Sequence, residues 1–587
     1  MRTLEQDAKT CGTPWPFTGR EDELELVRAA SAAGRHGIAV TGPAGFGKTR
    51  LIEEALRDTD HVRVTGTPEA RNLPFAAFAH LLPDTVVPHQ AVRVLSGVRL
   101  LVVDDAHLLD EASAALVHQL AAHARTRLVV TAVDEAPVPG AVSRLWTGEL
   151  LPRLALAPLP REDTARLLAA ARLEPLTAGR LHRLCRGDLR LLRDLVTALG
   201  AAGRLTAVPG TGERAWRGGL PVTPAVRERL APVLARCGPG ERDVLERLAF
   251  AEPLPLRLDD LGLDVLERLE ADGLIEVDDH GAVALAHPLH GPALRAMTGR
   301  LRARRLTGSP GGRGPALAAE QRTLARRIEQ LDVRPVPTGV GEWTVAEGVP
   351  LPAGYAAVRA RYARLRGELR EAAAWAREGL RQAPVDPACR RELALSEDQL
   401  AGPADAGDPR AAAGRDVAGD DVHALYESVR LGAPERVAGR LPAGSVFARH
   451  ADALAHGDGP GLDRAAEALE ERGFLLFAAE AHAQAVRAHR DPRAARLSRT
   501  RAVALARRCQ GARTPVLSGL VLGELTVRQR QVVALAAAGL SNREIAQRLT
   551  LSVRTVGNHL YSAYTRLGTG DRGALPHLVE PPVAESA

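Results

Sequence analysis

The sequence is poor in lysine: of its 77 basic residues only Lys9 and Lys48 are lysines, and the others are arginines. Together with 55 glycines and 40 prolines, this imbalance is typical of pressure on the composition of a whole genome rather than of selection at single positions. A lysine retained against such pressure is informative, because a planar guanidinium cannot replace a compact ammonium group at every kind of site.

Cysteine is also scarce, and the five cysteines lie far apart with no C-x-x-C pair. This pattern indicates neither a disulfide framework nor a thiolate zinc site, and it favours a reducing compartment. The sequence also lacks an apolar run of about eighteen residues and the charged-then-apolar start of a signal peptide. We therefore expect a cytoplasmic protein without a membrane partner.

Charge is unevenly distributed along the chain. The formal net charge is +6, yet residues 490–575 alone hold 15 arginines against four acidic residues, so the remainder is slightly acidic. A basic block at one end of a chain indicates a module that binds a polyanion, although solvated arginines on helix surfaces are the alternative.

At 587 residues the chain is long enough for about three or four domains, which excludes a small stapled protein. Stretches rich in glycine and proline separate its parts. We expect a multidomain protein with domains at residues 15–205, 222–300, 355–510 and 520–580.

The first two domains have different patterns. Residues 15–205 alternate short Val/Leu/Ile runs with helical periods, which predicts an α/β domain with a mostly parallel sheet. Residues 222–300 have the order of a winged helix, with two helices and then a hairpin around residues 278–281. The helix at 264–272 is acidic, so this winged helix is predicted to contact protein rather than DNA.

Residues 355–510 are rich in alanine and predict helices throughout. Two helix–turn–helix units, with turns at Gly367 and Gly473, have a spacing that resembles tetratricopeptide-type repeats. We expect an α-helical repeat region here, with an irregular helical domain as the alternative.

Residues 42–49, G-P-A-G-F-G-K-T, match the phosphate-binding pattern G-x-x-x-x-G-K-[ST] between an apolar strand and a helix. Glycines let backbone N–H groups surround a phosphate, and a lysine there reaches the β- and γ-phosphates. The strand L-L-V-V-D-D at 100–105 ends in two carboxylates, as a Walker B element does. We predict ATP or ADP as ligand, Mg²⁺ held by Thr49 and Asp104, and Asp105 as the catalytic residue that orients water. The predicted nucleotide-binding residues are Gly42, Gly45, Gly47, Lys48, Thr49 and Asp104.

Three short helices are predicted near the C-terminal end, where a capping box at Ser541–Glu544 begins the second. On the third helix, an apolar stripe that includes Val556 and Leu560 lies opposite a polar stripe that includes Asn558. This is the pattern of an all-α helix-turn-helix whose third helix enters the major groove. Arg554 and Asn558 are placed to read base edges or phosphates, and the other arginines to contact phosphates. The predicted DNA-binding residues are Arg543, Arg548, Arg554, Thr555, Asn558, His559, Tyr561 and Arg566.

Together these motifs resemble LuxR-family regulators of the large ATP-binding, MalT-like type, which belong to the STAND class of P-loop ATPases. The run G-L-S-N-R-E-I-A-Q-R-L followed by S-V-R-T-V-G-N-H-L carries the LuxR-type likeness. The segment F-T-G-R-E-D-E-L ahead of the phosphate loop implies that Gly19 and Arg20 lie near the nucleotide. L-A-H-P-L at 285–289 implies that His287 contacts bound ADP.

The sequence departs from the family at several positions. Val133 stands where relatives often carry an arginine that senses the γ-phosphate, and Leu189 where a proline is usual. Because Val133 and Leu189 both alter the nucleotide site, at most slow ATP hydrolysis is expected. In the DNA-binding part, Gln529 and Gly557 differ from the residues usual in the helix-turn-helix, and Pro576 interrupts the expected fourth helix.

The resemblance implies an ATP-dependent transcriptional regulator that binds double-stranded promoter DNA and forms a homo-oligomer with ATP bound. A small-molecule or protein inducer is expected to act through the helical region. Two alternatives stay open at this stage: a DNA-dependent ATPase of repair or replication, and a DNA-binding adaptor with a vestigial nucleotide site.

Overall fold

The structure, a computed structural model, describes residues 15–567 except 33, 35, 84–86, 124–125, 135–136, 252–261, 278–282, 308–312, 337, 402–420, 438, 522–526, 538 and 550. The chain divides into two compact units, Met1–Gly308 and Ser309–Ala587. In the described ranges every helix falls short of the length and apolar character needed to cross a bilayer.

The first unit begins with a five-stranded sheet in which every named pairing is parallel and the order is β2-β3-β4-β1-β5. Its central strands are buried on both faces, which explains why they read as continuous apolar runs. Ile38 and Val40 pack on one side, whereas Ala39 packs on the other. The predicted parallel α/β domain is confirmed. The strands are β1 Gly37–Gly42, β2 Val62–Thr65, β3 Leu100–Asp104, β4 Arg127–Val133 and β5 Arg153–Ala155, and the helices are α1 Glu21–Ala30, α2 Lys48–Ala55, α3 Pro88–Leu95, α4 Glu111–His123 and α5 Gly140–Thr147.

The rest of the first unit is mainly helical and shares one apolar core, which runs from Leu159 to Leu294. Helices that follow the sheet therefore pack with the segment at 222–300 rather than apart from it. Trp216 lies in this core beneath the guanidinium of Arg180, 3.4 Å from the ring centre. The two strands of the predicted hairpin pair antiparallel, and its turn at 278–281 lies outside the described residues. The elements are α6 Arg161–Ala169, α7 Pro175–Cys185, α8 Leu189–Ala201, β6 Leu205–Ala207, β7 Arg214–Trp216, α9 Pro224–Arg236, α10 Pro239–Ala251, α11 Leu263–Ala271, β8 Ile275–Val277, β9 Val283–Leu285, α12 His290–Met297 and α13 Arg300–Thr307.

The second unit is helical in the part of the chain that the structure describes. Gly367 and Gly473 adopt left-handed backbone angles at the tight turns where the sequence predicts them. A side chain at Gly473 would meet the backbone of Val333 at 2.7 Å, so only glycine fits there. The helical region is thus present, and its relation to tetratricopeptide repeats stays a prediction. The helices are α14 Arg313–Glu329, α15 Gly339–Ala346, α16 Ala353–Leu365, α17 Leu369–Gln382, α18 Pro387–Ala401, α19 Val422–Arg430, α20 Val446–Ala455, α21 Gly459–Glu471, α22 Leu475–Ala488, α23 Pro492–Arg507 and α24 Pro515–Val521.

A buried polar chain in this unit predicts acid sensitivity. The Tyr426 hydroxyl lies 2.5 Å from Nδ1 of His450, and Nε2 of His450 lies 2.7 Å from the Gln484 side-chain oxygen. Burial lowers the pKa of His450 from 6.5 to about 4, with a smaller contribution from the nearby Arg430. The unfolded state binds this proton first as the pH falls, so stability is lost between pH 6.5 and 4, by on the order of 3 kcal/mol for this group.

Urea unfolding followed by circular dichroism between pH 7 and 4.5 checks this prediction. His450→Gln should be less stable at pH 7 and should lose less stability on acidification than the wild type. Parallel losses in the two proteins would contradict it.

Three short helices at the end of the described chain, α25 Val527–Ala537, α26 Asn542–Leu549 and α27 Val553–Leu567, surround a small apolar core of their own. Ile545, Val556 and Leu560 are buried in it, as the sequence predicts. Gly539 ends α25 in the left-handed conformation, and Ser541 and Glu544 form the predicted capping box before α26. The predicted start of the first helix at 525–526 and Pro576 lie outside the described residues.

Candidate functional site

The loop of residues 42–47 joins the central strand β1 to helix α2 at the carboxyl edge of the sheet. Gly42, Gly45 and Gly47 all have φ values between 81° and 146°, a region that L side chains avoid. A side chain at Gly45 would also collide with the carboxylate of Asp188. The loop therefore requires glycine at these positions, and it exposes backbone N–H groups at the start of a helix, where anions bind.

Lys48 is 6% exposed and folds back over this loop. Its ammonium group donates to the carbonyl oxygens of Gly42 at 2.9 Å and Pro43 at 2.8 Å. These contacts fix a compact positive charge at the mouth of the loop. A phosphate chain seated on the loop would meet that charge directly.

Asp104 ends strand β3, two strands from β1 in the sheet order. The Thr49 hydroxyl lies 3.1 Å from each of its carboxylate oxygens, and the Thr131 hydroxyl donates to it at 2.6 Å. Hydroxyl and carboxylate oxygens are the hard donors that Mg²⁺ prefers. The described residues contain no cluster of three or more His, Cys, Asp or Glu side chains suited to a metal. The residues present thus fit an ion that takes its other ligands from phosphates and water.

Asp105 follows with a left-handed backbone angle, φ 50°, and its side chain is 39% exposed. Its backbone N–H donates to the Thr131 hydroxyl at 2.8 Å, which holds the turn. Burial, and then the negative charge of Asp104, raise the pKa of Asp105, while the charges of His107, Lys48 and Arg190 partly offset this. The Asp105 carboxylate therefore lies within electrostatic reach of Asp104 and of the positive charges of Lys48 and Arg190.

Arg20 is buried, and the structure places its guanidinium on the Ala157 carbonyl at 2.5 Å and on Glu23 at 2.8 Å. Ala157 follows Leu156, whose N–H donates to the Thr41 carbonyl just before the phosphate loop. Gly19 has φ 74°, and a side chain there would collide with Asp163. Arg20 thus ties the chain ahead of α1 to the edge of the loop through backbone contacts.

One ion pair and one hydrogen bond, which sequence reasoning missed, join residues beside the loop to the segment at 222–300. Asp188 is buried, caps the start of α8 and forms an ion pair with Arg229 of helix α9. Arg186 donates to the Ala286 carbonyl at 2.8 Å. Because Asp188 also abuts Gly45, one carboxylate touches both the phosphate loop and the partner helix. A charged pair so far apart in sequence leaves no local pattern that would reveal it.

His287 lies beside this contact. Its Nδ1 accepts the N–H of Leu289 at 3.1 Å, so the neutral ring carries its proton on Nε2. Burial, followed by the charges of His290, Arg186 and Arg229, lowers the pKa of His287 to about 4. His287 is thus a neutral donor near physiological pH, held next to the residues that abut the loop.

The candidate DNA surface lies on α26 and α27. The side chains of Arg543, Arg548 and Asn558 are exposed, and Tyr561 is 76% exposed, an unusual fraction for an aromatic ring. Thr555 and His559 are half-buried. The side chains of Arg554 and Arg566 lie outside the described part of the structure. Exposed polar groups on α27 thus lie opposite its buried stripe, as a groove-reading helix requires.

Comparisons with known proteins match both ends of the chain. The model for bacterial regulatory proteins of the luxR family matches residues 523–579, and the AAA ATPase domain model matches residues 16–93. Mb0914c of Mycobacterium bovis and Rv0890c of Mycobacterium tuberculosis, whose names describe HTH-type transcriptional regulators, are each 45% identical over 78 residues. That match covers 13% of this chain and 9% of each relative. Among solved structures, the Walker-type ATPase PABY2304 of Pyrococcus abyssi matches at 12% identity and a TM-score of 0.27, over 47% of this chain and 95% of that chain.

Proposed function

We propose that the chain is an ATP-dependent transcriptional regulator, because a luxR-family model matches one end of it and an AAA ATPase domain model matches the other. The observation that carries the proposal is the presence, in one chain, of a glycine loop with an ordered lysine and of a helix-turn-helix with an exposed polar helix. The first binds a nucleotide phosphate chain, and the second binds promoter DNA.

At the nucleotide site, Lys48 would hold the β- and γ-phosphates, while Thr49 and Asp104 would hold the magnesium ion. When bound, magnesium would neutralise negative charge on the phosphates. Asp105 orients the attacking water. Hydrolysis is slow at most, because Val133 stands where relatives often carry an arginine that senses the γ-phosphate and Leu189 stands where a proline is usual.

The segment at 222–300 acts as the clasp of a nucleotide switch, which means that its contacts hold the nucleotide site closed in one nucleotide state and not in the other. With ADP bound, the Asp188–Arg229 pair and the Arg186–Ala286 contact would hold this segment against the loop, and His287, whose Nδ1 accepts from Leu289, would donate from Nε2 to the nucleotide. The ATP-bound form releases the clasp, is favoured by an inducer bound to the helical region, and assembles into a homo-oligomer on DNA. Such a switch needs different contacts in two states rather than fast turnover.

DNA binding measured with each nucleotide tests this function. Fragments selected from random duplexes by the full chain should share a sequence, and binding to them at fixed salt should be about tenfold tighter with a non-hydrolysable ATP analogue than with ADP. Turnover stimulated by any DNA, without sequence preference, would instead favour a repair or replication ATPase. Equal DNA affinity with and without nucleotide would favour an adaptor.

Two variants of the helix-turn-helix serve as matched arms of that test. Asn558→Ala should weaken binding to the selected site, by about 1–3 kcal/mol for a lost base contact, more than it weakens binding to random duplex. Arg548→Ala should weaken both alike and lower the salt dependence of binding. The reverse pattern would contradict the assignment of the two residues.

A further inference from the structure

The carboxylate of Asp104, which is assigned to the metal, is already paired with an arginine. Arg63 lies on β2, an edge strand, and its guanidinium contacts Asp104 Oδ2 at 2.5 Å. A second nitrogen of the same guanidinium contacts Glu53 at 3.1 Å. The strands pair Arg63 with Val102, so the contact to Asp104 is a diagonal one that a long side chain spans.

Asp104 is fully partnered without any metal. Its carboxylate, 4% exposed, accepts from the hydroxyls of Thr49 and Thr131 and from Arg63. A charge that is this buried needs a counter-ion, and Arg63 is the cation the chain itself supplies. Arg63 is 36% exposed, so unlike its partner it has room to swing outward.

Glu53 offers the place to which the arginine can withdraw. It lies one helical turn after Thr49 on α2, and its side chain is 47% exposed. When Arg63 leaves Asp104, it keeps a charged partner at Glu53 and does not become an isolated cation. Arg63 can thus occupy two positions at the edge of the site, one paired with Asp104 and one paired with Glu53.

We propose that Arg63 is the counter-cation of Asp104 when no magnesium is bound. It thereby allows the site to hold a nucleotide without magnesium, and it sets the magnesium concentration at which the ion replaces the arginine at Asp104. This rests on the proposed nucleotide site. With Arg63 on Asp104, the carboxylate does not repel the phosphate chain; with Arg63 on Glu53, Asp104 is free to receive the ion's water shell.

Fluorescence titration of the full chain with N-methylanthraniloyl-ADP, in EDTA and across a magnesium series, tests the proposal. Arg63→Met keeps the aliphatic stem and should weaken ADP binding in EDTA by about tenfold, while lowering the half-saturating magnesium concentration by a similar factor. Arg57→Met, which removes an exposed arginine paired with Glu54 away from Asp104, is the matched control and should leave both values unchanged.

Glu53→Gln, at an exposed position, gives a second arm with a distinct sign. This change removes the negative charge at Glu53 with which Arg63 pairs when it leaves Asp104. Arg63 should therefore stay on Asp104, and the half-saturating magnesium concentration should rise. If Arg63→Met and Glu53→Gln both match Arg57→Met, the proposal is overturned while the nucleotide site stands. If the wild type binds no nucleotide under any condition, the proposed function itself fails.

Discussion

Replacing Lys48 with alanine is expected to cause the largest single loss of nucleotide affinity that the site predicts. The ammonium group is held at the loop mouth by two carbonyl contacts, and no other lysine follows in the chain. A charge-assisted contact to phosphate is strong, and this one is partly desolvated, so affinity for ATP and ADP should fall by about a hundredfold or more.

Isothermal titration of the wild type, Lys48→Ala and Lys48→Arg measures this loss. The arginine variant keeps the charge, but its planar group does not fit between the Gly42 and Pro43 carbonyls, so it should lose most of the affinity too. DNA binding by Lys48→Ala should no longer respond to nucleotide. Undiminished ATP affinity in Lys48→Ala would show that this loop is not the binding site.

The sequence was enough to predict the nucleotide loop because its signal is local. The loop is recognised by its glycine spacing, by the apolar strand before it and by the helix after it, and these three features lie within about twenty residues. Each of them reflects a requirement of the backbone. The helix-turn-helix is equally local, since its caps at Ser541 and Ser552 and its buried stripe follow from short-range periodicity.

What the sequence did not reveal is the tertiary environment of these motifs. Thr131 stands in an apolar strand and gives no sign that its hydroxyl bridges Asp104 and the turn that follows. Arg63 resembles any arginine of an edge strand. The shared core of the helices after the sheet and the segment at 222–300 also escapes prediction, because a glycine-rich stretch at 208–212 suggests a boundary that packing bridges.

The second large effect is expected at Arg229. Asp188 is 4% exposed and abuts Gly45, whereas Arg229 is 45% exposed, so removal of the arginine leaves a buried carboxylate at the phosphate loop without its partner. Loss of one partner of a buried pair is strongly destabilising, and solvent around Arg229 reduces the cost here to roughly 1–2 kcal/mol. In the proposed switch, that free energy is lost from the ADP-bound form, in which the segment at 222–300 is held against the loop.

Arg229→Met should therefore speed the release of ADP by about tenfold, as measured by stopped-flow displacement of a fluorescent analogue, and should raise DNA affinity with ADP toward the value with ATP. Arg227→Met, an exposed arginine on the same helix, serves as control.

A double-mutant cycle with Asp188→Asn separates the clasp from a general loss of stability. If the pair is the link, the double variant should release ADP no faster than Arg229→Met alone, because both changes remove the same contact. If the two effects add, Arg229 acts on folding and not through Asp188. In that case, the contact between the loop and the segment at 222–300 would have to depend on the hydrogen bond from Arg186 to the Ala286 carbonyl. Because this carbonyl is uncharged, that bond offers no ion pair for a change of nucleotide to break.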